Sequence, residues 1–169
     1  GILLDLKMLV DEKRMPPIDR WAVQNDLFSL CVSGDEQVRN YLDFSDAYFD
    51  EDSYLASVNV AHNLASLYFR AFDEPFVEEI KSYAVNYFRK ILSNLGWEPK
   101  KSDKHTDALL RTFAIAVLGK MNDDSVTDEA IRKYKKFLKS PRSLSPDLIE
   151  TICSIAAWNG NSKTFAELK

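Results

Sequence analysis

The chain has 169 residues, of which 46% are apolar and 12% aromatic, so it can build a buried core and is not a disordered polypeptide. Its 22 basic and 26 acidic side chains give a formal charge of −4 without a basic cluster, and we expect no nucleic-acid partner. No apolar run approaches the ~20 residues that cross a bilayer and no signal-peptide pattern opens the chain, so we expect no membrane association.

Apolar residues recur at helical spacing along nearly the whole chain. Prolines and glycines mark the ends of the predicted helices, because proline disfavours helix in the residue before it and glycine readily terminates a helix. The predicted helices, in chain order, are Leu3 to Leu9 before Pro16, a helix through Trp21 and Cys31 that stops at Gly34, Val38 to Phe49, Tyr54 to Phe72 behind an N-cap at Ser53, Pro75 to Leu95 with a stop at Gly96, Asp103 to Met121, Asp128 to Leu138, and Asp147 to Trp158.

Three of these segments share a layout in which an acidic residue precedes a dense apolar run and a turn. They begin at Asp19, Asp107 and Asp147; the last two are 40 residues apart and the first two are 88 apart, close to two such steps. A period of about 40 residues is typical of helix-pair solenoids. We therefore predict an all-α fold, a HEAT/armadillo-like superhelix of antiparallel helix pairs forming a single domain over residues 1–169, with a closed helical bundle as the alternative.

The chain enters helical periodicity almost at once, with Gly1-Ile2-Leu3-Leu4. We interpret it as a C-terminal fragment of a longer multidomain polypeptide. Helices that normally dock on another domain would leave apolar surface exposed in such a fragment. The stripe of Leu3, Leu4 and Leu9 therefore predicts self-association, because burying orphaned apolar area is favourable.

The sequence contains no complete catalytic motif. His62 and His105 are its only histidines and neither belongs to a His-Glu-x-x-His pattern, so we expect no metal site and no cofactor in this chain. Cys31 and Cys153 lie in apolar stretches without Cys-x-x-Cys spacing, which indicates buried free thiols in a reducing, cytoplasmic compartment. A small helical enzyme built on either cysteine is a remote alternative. A scaffold that binds a peptide or another domain fits the pattern better.

A series of motifs runs through the chain in a fixed order. Asp19-Arg20 precedes Asn25-Asp26-Leu27-Phe28-Ser29-Leu30, and Leu95-Gly96-Trp97-Glu98-Pro99 precedes Leu109-Leu110-Arg111. Ser145-Pro146-Asp147-Leu148 and Ala156-Ala157-Trp158-Asn159-Gly160 close the series. Together these motifs, over roughly residues 15 to 168, resemble the C-terminal helical domain of the aminopeptidase N and endoplasmic reticulum aminopeptidase family of zinc peptidases, which includes the tricorn interacting factors. The chain departs from the family's pattern at Tyr54-Leu55-Ala56-Ser57 and at Ile149, which bears on the subfamily more than on the fold.

The resemblance implies that zinc belongs to the parent enzyme, in a catalytic domain that precedes this one in the same chain. The helical domain would then cap the active-site cavity of a cytosolic aminopeptidase and contact the distal part of peptide substrates, without being catalytic alone. A freestanding HEAT-like adaptor for a partner protein is the alternative function.

Arg111, which matches the family's Leu-Leu-Arg motif, is the candidate to bind a carboxylate of the substrate or of a neighbouring domain. A guanidinium fork suits a carboxylate better than the point charge of lysine does. Alternatively, Arg111 pairs with an acid of its own domain such as Asp107, four residues earlier on the same helix face. Arg20 is the second candidate for such a contact, and for Arg20 we favour a structural role.

Overall fold

The computed structural model of the chain describes residues 1–160, and in that range every regular element is a helix, which confirms the all-α prediction. No helix there is both long and apolar enough to span a bilayer. The superhelical stacking of helix pairs stays a prediction. The elements are α1 (Ile2–Asp11), α2 (Pro17–Ser33), α3 (Val38–Ser45), a 3-10 turn (Asp46–Tyr48), α4 (Tyr54–Arg70), α5 (Val77–Leu95), α6 (His105–Lys120), α7 (Asp124–Lys139), a second 3-10 turn (Pro141–Ser143) and α8 (Pro146–Trp158).

Most helix ends lie where the glycines and prolines predicted them. Gly34 follows α2 in the left-handed conformation with φ 84°, and Gly96 follows α5 with φ 71°. A side chain at either position would be strained, which is why glycine terminates both helices. Pro17 and Pro146 occupy the first positions of α2 and α8, where the missing N–H costs nothing.

The start of α7 differs from the prediction. The helix begins at Asp124 rather than Asp128, and Asp123 is its N-cap. The Asp123 Oδ1 accepts hydrogen bonds from the Val126 backbone N–H at 3.1 Å and from the Ser125 hydroxyl at 2.7 Å. The prediction thus placed the start of this helix four residues too late and missed the capping role of Asp123.

The chain divides into two compact units, residues 1–87 and residues 88–169. In the first unit, α2 packs against α4 and α3 around a core that includes Tyr41, Leu42, Val60, Leu64 and Ile80. A buried amide joins the three helices: the Gln24 Oε1 accepts from the Tyr41 hydroxyl and from the Asn63 Nδ2, each at 3.0 Å, while the Gln24 Nε2 donates to Asn59. This cluster satisfies the side chain of a fully buried glutamine.

Apolar side chains of the N-terminal helix α1 are exposed to solvent, but only one of them belongs to the stripe that the sequence predicted. Ile2, Leu4 and Met8 are exposed, whereas Leu3 and Leu9 are half-buried and Val10 lies in the core. The expectation of exposure is therefore wrong for Leu3 and Leu9, because α1 turns that side toward α3 and the 3-10 turn at Asp46–Tyr48. Self-association through the remaining exposed residues stays a prediction.

In the second unit, α7 and α8 pack against α6 over a core that includes Ile115, Leu118, Met121, Leu148 and Ile152. Thr112 of α6 contacts Asp147 of α8, and Gly119 of α6 lies against Ile155 of α8, so these two helices run in the same direction. The contact at Gly119 is close. An added Cβ would lie 2.6 Å from both the Cγ1 and the Cδ1 atoms of Ile155.

We expect Asp123→Asn to lower stability at pH 7 by roughly 1 kcal/mol, since asparagine keeps the cap but loses the charge that faces Arg89. Burial alone raises the pKa of the Asp123 carboxyl, but the bonds from Ser125, Val126 and Arg89 outweigh it, so that pKa lies below its usual value. The carboxylate therefore stabilises the fold above the unfolded-state pKa of about 4, and this contribution is lost as the pH falls through the folded-state value. Urea unfolding between pH 2 and pH 7 should show the two proteins converging at the acid end; a constant gap would contradict this account.

Gly119→Ala should destabilise the chain by about 1–3 kcal/mol, because the new methyl group meets a buried isoleucine that has little room to move. Ile155→Ala removes the two clashing atoms and costs about 2–4 kcal/mol by itself. The double variant should then be no less stable than Ile155→Ala alone. Thermal unfolding of the three variants measures this coupling, and strictly additive losses would show that the contact is not the cause.

Candidate functional site

Arg111 lies in the middle of α6 and is almost completely buried, with 2% of its surface exposed. Its Nε donates a hydrogen bond to the Gly96 carbonyl oxygen at 2.9 Å, and its Nη2 donates to the Leu95 carbonyl oxygen at 3.3 Å. The same Nη2 forms an ion pair with Asp103. The guanidinium therefore fills the end of α5, where carbonyl groups have no partner within the helix.

The acid that pairs with Arg111 is not Asp107, the intradomain partner that helix spacing suggested. Asp107 accepts from the Lys104 backbone N–H at 2.8 Å and so caps the start of α6. Asp103 accepts from the Lys100 backbone N–H at 2.9 Å as well as from Arg111, and these two bonds hold the pKa of the Asp103 carboxyl below its usual value. Arg111 thus holds the loop between α5 and α6, and its contact with substrate or another domain stays a prediction.

Arg20 lies near the start of α2 and is also buried. Its Nε and Nη2 atoms form a two-pronged pair with the Glu51 carboxylate at 2.7 and 2.6 Å, and Nη2 also reaches Asp52 at 2.9 Å. Its Nη1 donates to the Met15 carbonyl oxygen at 2.7 Å. The Tyr48 hydroxyl donates to the Arg20 carbonyl oxygen at 2.6 Å. This geometry favours the structural role, since one side chain joins the loops before α2 and before α4.

The Gly-Trp-Glu motif, residues 96–98, connects the loop after α5 to another helix of the unit that contains Arg111. Lys133 of α7 lies with its ammonium group 5.6 Å from the centroid of the Trp97 ring, and the same ammonium forms an ion pair with Glu98. Glu129 lies 3.7 Å from that ammonium, one helical turn away. The motif therefore attaches the loop after α5 to α7 through a cation on an aromatic face.

A cavity of about 420 Å³ opens beside α6, and Arg111 is not among its lining residues. We call it the proximal cavity, because it lies at the first turns of α6 and α8. Its lining consists of His105, Ala108, Leu109, Thr112, Phe113, Ala116 and Asp147.

A second cavity of about 250 Å³, the distal cavity, lies toward the last turns of the same two helices. Ala116 lines both cavities, so they follow one continuous face of α6 and α8. The lining of the distal cavity consists of Ala116, Gly119, Lys120, Glu150, Thr151, Ser154, Ile155 and Trp158. The floor is apolar, Lys120 and Glu150 bring one charge of each sign, and the Trp158 ring is 76% exposed. Such a surface suits side chains of a peptide or helix.

Thr112 of the proximal cavity and the two cysteines show no activation as nucleophiles. The Thr112 hydroxyl points to the Asp147 backbone carbonyl oxygen, at 3.5 Å, rather than to a general base. Cys31 is buried as predicted, whereas Cys153 is half-buried, and burial raises the pKa of both thiols, which makes them poor nucleophiles. Within residues 1–160, no group of three His, Cys, Asp or Glu side chains could hold a metal ion. The described residues therefore do not fit a zinc site.

Neither cavity was predicted from the sequence, which singled out the two arginines instead. The lining residues are spread over α6 and α8, and only the register set at Gly119 and Ile155 brings them together. His105, which lines the proximal cavity, is exposed. Leu109 and Trp158 are both largely exposed, but each follows an apolar residue in the sequence, so their exposure could not be inferred from the sequence alone.

The chain is similar to one protein family and to several known proteins. The family model described as "ERAP1-like C-terminal domain" matches residues 3–169. Aminopeptidase M1-A of Oryza sativa subsp. japonica is 24% identical over 147 residues, which is 85% of this chain and 17% of the relative. Aminopeptidase M1 of Arabidopsis thaliana is 25% identical over 151 residues, with the same two shares. Tricorn protease-interacting factor F2 of Thermoplasma acidophilum is 24% identical over 128 residues, 76% of this chain and 16% of the relative. The chain thus spans about a sixth of the length of these relatives.

Arg111→Met should cost about 3–5 kcal/mol in the free energy of unfolding, because two carbonyl groups and Asp103 lose their partner in a buried site. Arg111→Lys should cost about 2 kcal/mol, since one ammonium cannot reproduce the fork that reaches Gly96 and Leu95. Arg132→Lys is the matched control: Arg132 forms a similar fork with Glu129 but is 62% exposed, so its replacement should cost less than 0.5 kcal/mol. Urea denaturation gives all three values, and equal losses at positions 111 and 132 would contradict the role of burial.

Proposed function

The chain belongs to the family of ERAP1-like C-terminal domains, and from this premise we propose that it works as the C-terminal cap domain of a cytosolic zinc aminopeptidase. The family match over residues 3–169 carries the proposal. Relatives that match over most of this chain are named aminopeptidases, and the matched segment is 17% of their length. In this proposal, zinc and the catalytic residues belong to a preceding domain of the same polypeptide, and this domain encloses the active-site cavity.

The face shared by α6 and α8 supports a role in binding the distal part of a peptide substrate. Its two cavities provide an apolar floor with His105 and Asp147 at one end and Lys120 and Glu150 at the other. Apolar lining gives affinity for varied side chains, while a few charges fix orientation. A substrate that reaches these cavities would be bound far from the scissile bond. Such binding energy can be used to orient the reacting end of the substrate.

The proposed contact by Arg111 or Arg20 requires a rearrangement. Each guanidinium is buried and bonded to acceptors of its own unit. To bind a carboxylate of the substrate or of the catalytic domain, Arg111 would exchange Asp103 for the external acid, and Arg20 would exchange Asp52, its partly exposed second partner. Such an exchange replaces one ion pair by another, so the free energy that it costs is mainly that of opening the loop.

The rival proposal is a freestanding HEAT-like adaptor that binds a partner protein and shares only the fold. The gene sequence upstream of Gly1 separates the two. Several hundred codons that encode His-Glu-x-x-His and a distal glutamate would support the cap domain, and a start codon close to Gly1 would support the adaptor. The family match favours the first, since its relatives are named aminopeptidases.

The 169-residue chain by itself should release no amino acid from aminoacyl-coumarin substrates, since its described residues do not fit a zinc site. The assay uses added Zn²⁺ with and without a chelator, and a zinc aminopeptidase of known activity as the positive control. Chelator-sensitive release of an N-terminal residue by this chain would overturn the assignment of catalysis to another domain.

In the longer polypeptide, Leu109→Asp should lower kcat/KM for peptides of about ten residues by roughly tenfold, because a charge would enter the apolar floor of the proximal cavity. The effect on a single-residue coumarin substrate, too short to reach that cavity, should be less than twofold. Leu138→Asp is the matched control, since Leu138 is similarly exposed on α7 and lines neither cavity. Equal losses on long and short substrates would contradict the proposed distal binding.

A further inference from the structure

The last turn of α4 and the connection to α5 carry exposed aromatic side chains. Phe69, Phe72 and Phe76 are 45%, 63% and 49% exposed, and we call these residues the aromatic turn. Together their rings present roughly 300 Å² of apolar surface. Patches of this size, when they have a polar rim, usually mark a binding surface, because burying them in a partner is favourable.

The aromatic turn is already ordered. The Glu74 backbone N–H donates to the Ala71 carbonyl oxygen at 2.9 Å, and the Val77 N–H donates to the Glu74 carbonyl oxygen at 3.1 Å. Beneath it, the buried Tyr68 ring meets Phe69 edge-on at 5.2 Å between centroids and meets Phe72 edge-on at 6.2 Å. A partner that docks here would immobilise few additional side chains, which lowers the entropic cost of binding.

The rim of the aromatic turn is acidic. Asp73, Glu74 and Glu78 are exposed, and none of them forms an ion pair within residues 1–160. Burial and then the nearby charge of Glu78 raise the pKa of the Tyr68 hydroxyl, as expected for a carboxylate close to these rings. Arg70, a nearby cation, directs its Nε to the Ser66 hydroxyl at 3.1 Å. The rim thus offers carboxylates without protein partners around an apolar centre.

We propose that the aromatic turn binds a basic, extended segment of a partner protein in which an aliphatic side chain lies between lysine or arginine residues. The aliphatic side chain packs among the phenylalanine rings, and the flanking cations meet the carboxylates of Asp73, Glu74 and Glu78. A second copy of this turn is a poor occupant, because it would bring two acidic rims together. The surface lies wholly in residues 1–87, so the proposal stands or fails independently of the proposed function.

Fluorescence anisotropy with the complete 169-residue chain tests the proposal. The probe is a fluorescein-labelled peptide, Lys-Arg-Leu-Leu-Lys-Arg. Two control peptides replace either the cations, as Glu-Glu-Leu-Leu-Glu-Glu, or the aliphatic residues, as Lys-Arg-Ser-Ser-Lys-Arg. The first peptide should bind at least tenfold more tightly than either control, and its affinity should fall as salt rises because rim charges are screened.

Variants of the chain locate the binding surface. Phe72→Ser should weaken binding of the basic aliphatic peptide about tenfold, and Glu74→Lys about threefold to fivefold. Ile18→Ser removes an equally exposed apolar residue on α2, and Asp128→Lys reverses an exposed charge on α7; both should leave the affinity within twofold. All four positions are on the surface, and circular dichroism verifies that each variant keeps its helices.

Four results would overturn the proposal. One is no saturable binding of the basic aliphatic peptide up to about 1 mM. Another is equal affinity for that peptide and either control peptide. A third is equal loss of affinity in the Ile18 and Phe72 variants. The last is a dimer, seen by sedimentation velocity, that dissociates with Phe72→Ser, because the aromatic turn would then be an interface between copies of this chain.

Discussion

The fold of each unit depends on one buried guanidinium that closes a loop between helices. Arg111 replaces the missing partners of the carbonyl groups at the end of α5, and Asp103 balances its charge. The Arg20 guanidinium connects the loops that precede α2 and α4, and Glu51 balances its charge. A buried charge is costly unless it is bonded on all sides. Arg111 accordingly binds two backbone carbonyl groups and one carboxylate, and Arg20 binds one backbone carbonyl group and two carboxylates. These loops set where the following helices start.

The position of Arg111 also affects the face of α6 that we propose binds peptide. Arg111 binds the end of α5, and other residues of α6 line the two cavities together with residues of α8. The close contact of Gly119 with Ile155 fixes how far apart the two helices lie. The helices thus present the cavities, and in the proposed function the catalytic step belongs to a preceding domain.

The helices were predictable because their signals are local. Gly34 and Gly96 adopt the left-handed conformation that the sequence suggested, and apolar spacing located every α-helix within a few residues. The cap at Asp123 was missed, since two adjacent acids are equally compatible with a turn. The partner of Arg111 was not predictable either: helix spacing favoured Asp107, but the guanidinium bends back to the loop, where Asp103 and two carbonyl groups give it more bonds. The cavities depend on residues of two helices, and sequence spacing on one helix does not reveal such a juxtaposition.

The buried amide of Gln24 restricts how α2 and α4 can slide past each other. If α4 moved by one turn, one of Asn59 and Asn63 would take the place of the other, and a leucine, Leu55 or Leu67, would take the remaining place. The Gln24 amide would then lose one of its two hydrogen bonds to α4. Apolar contacts alone would tolerate such a shift, because leucine side chains at different positions pack in similar ways. The Gln24 amide therefore favours the alignment in which it bonds to Tyr41, Asn59 and Asn63 at once.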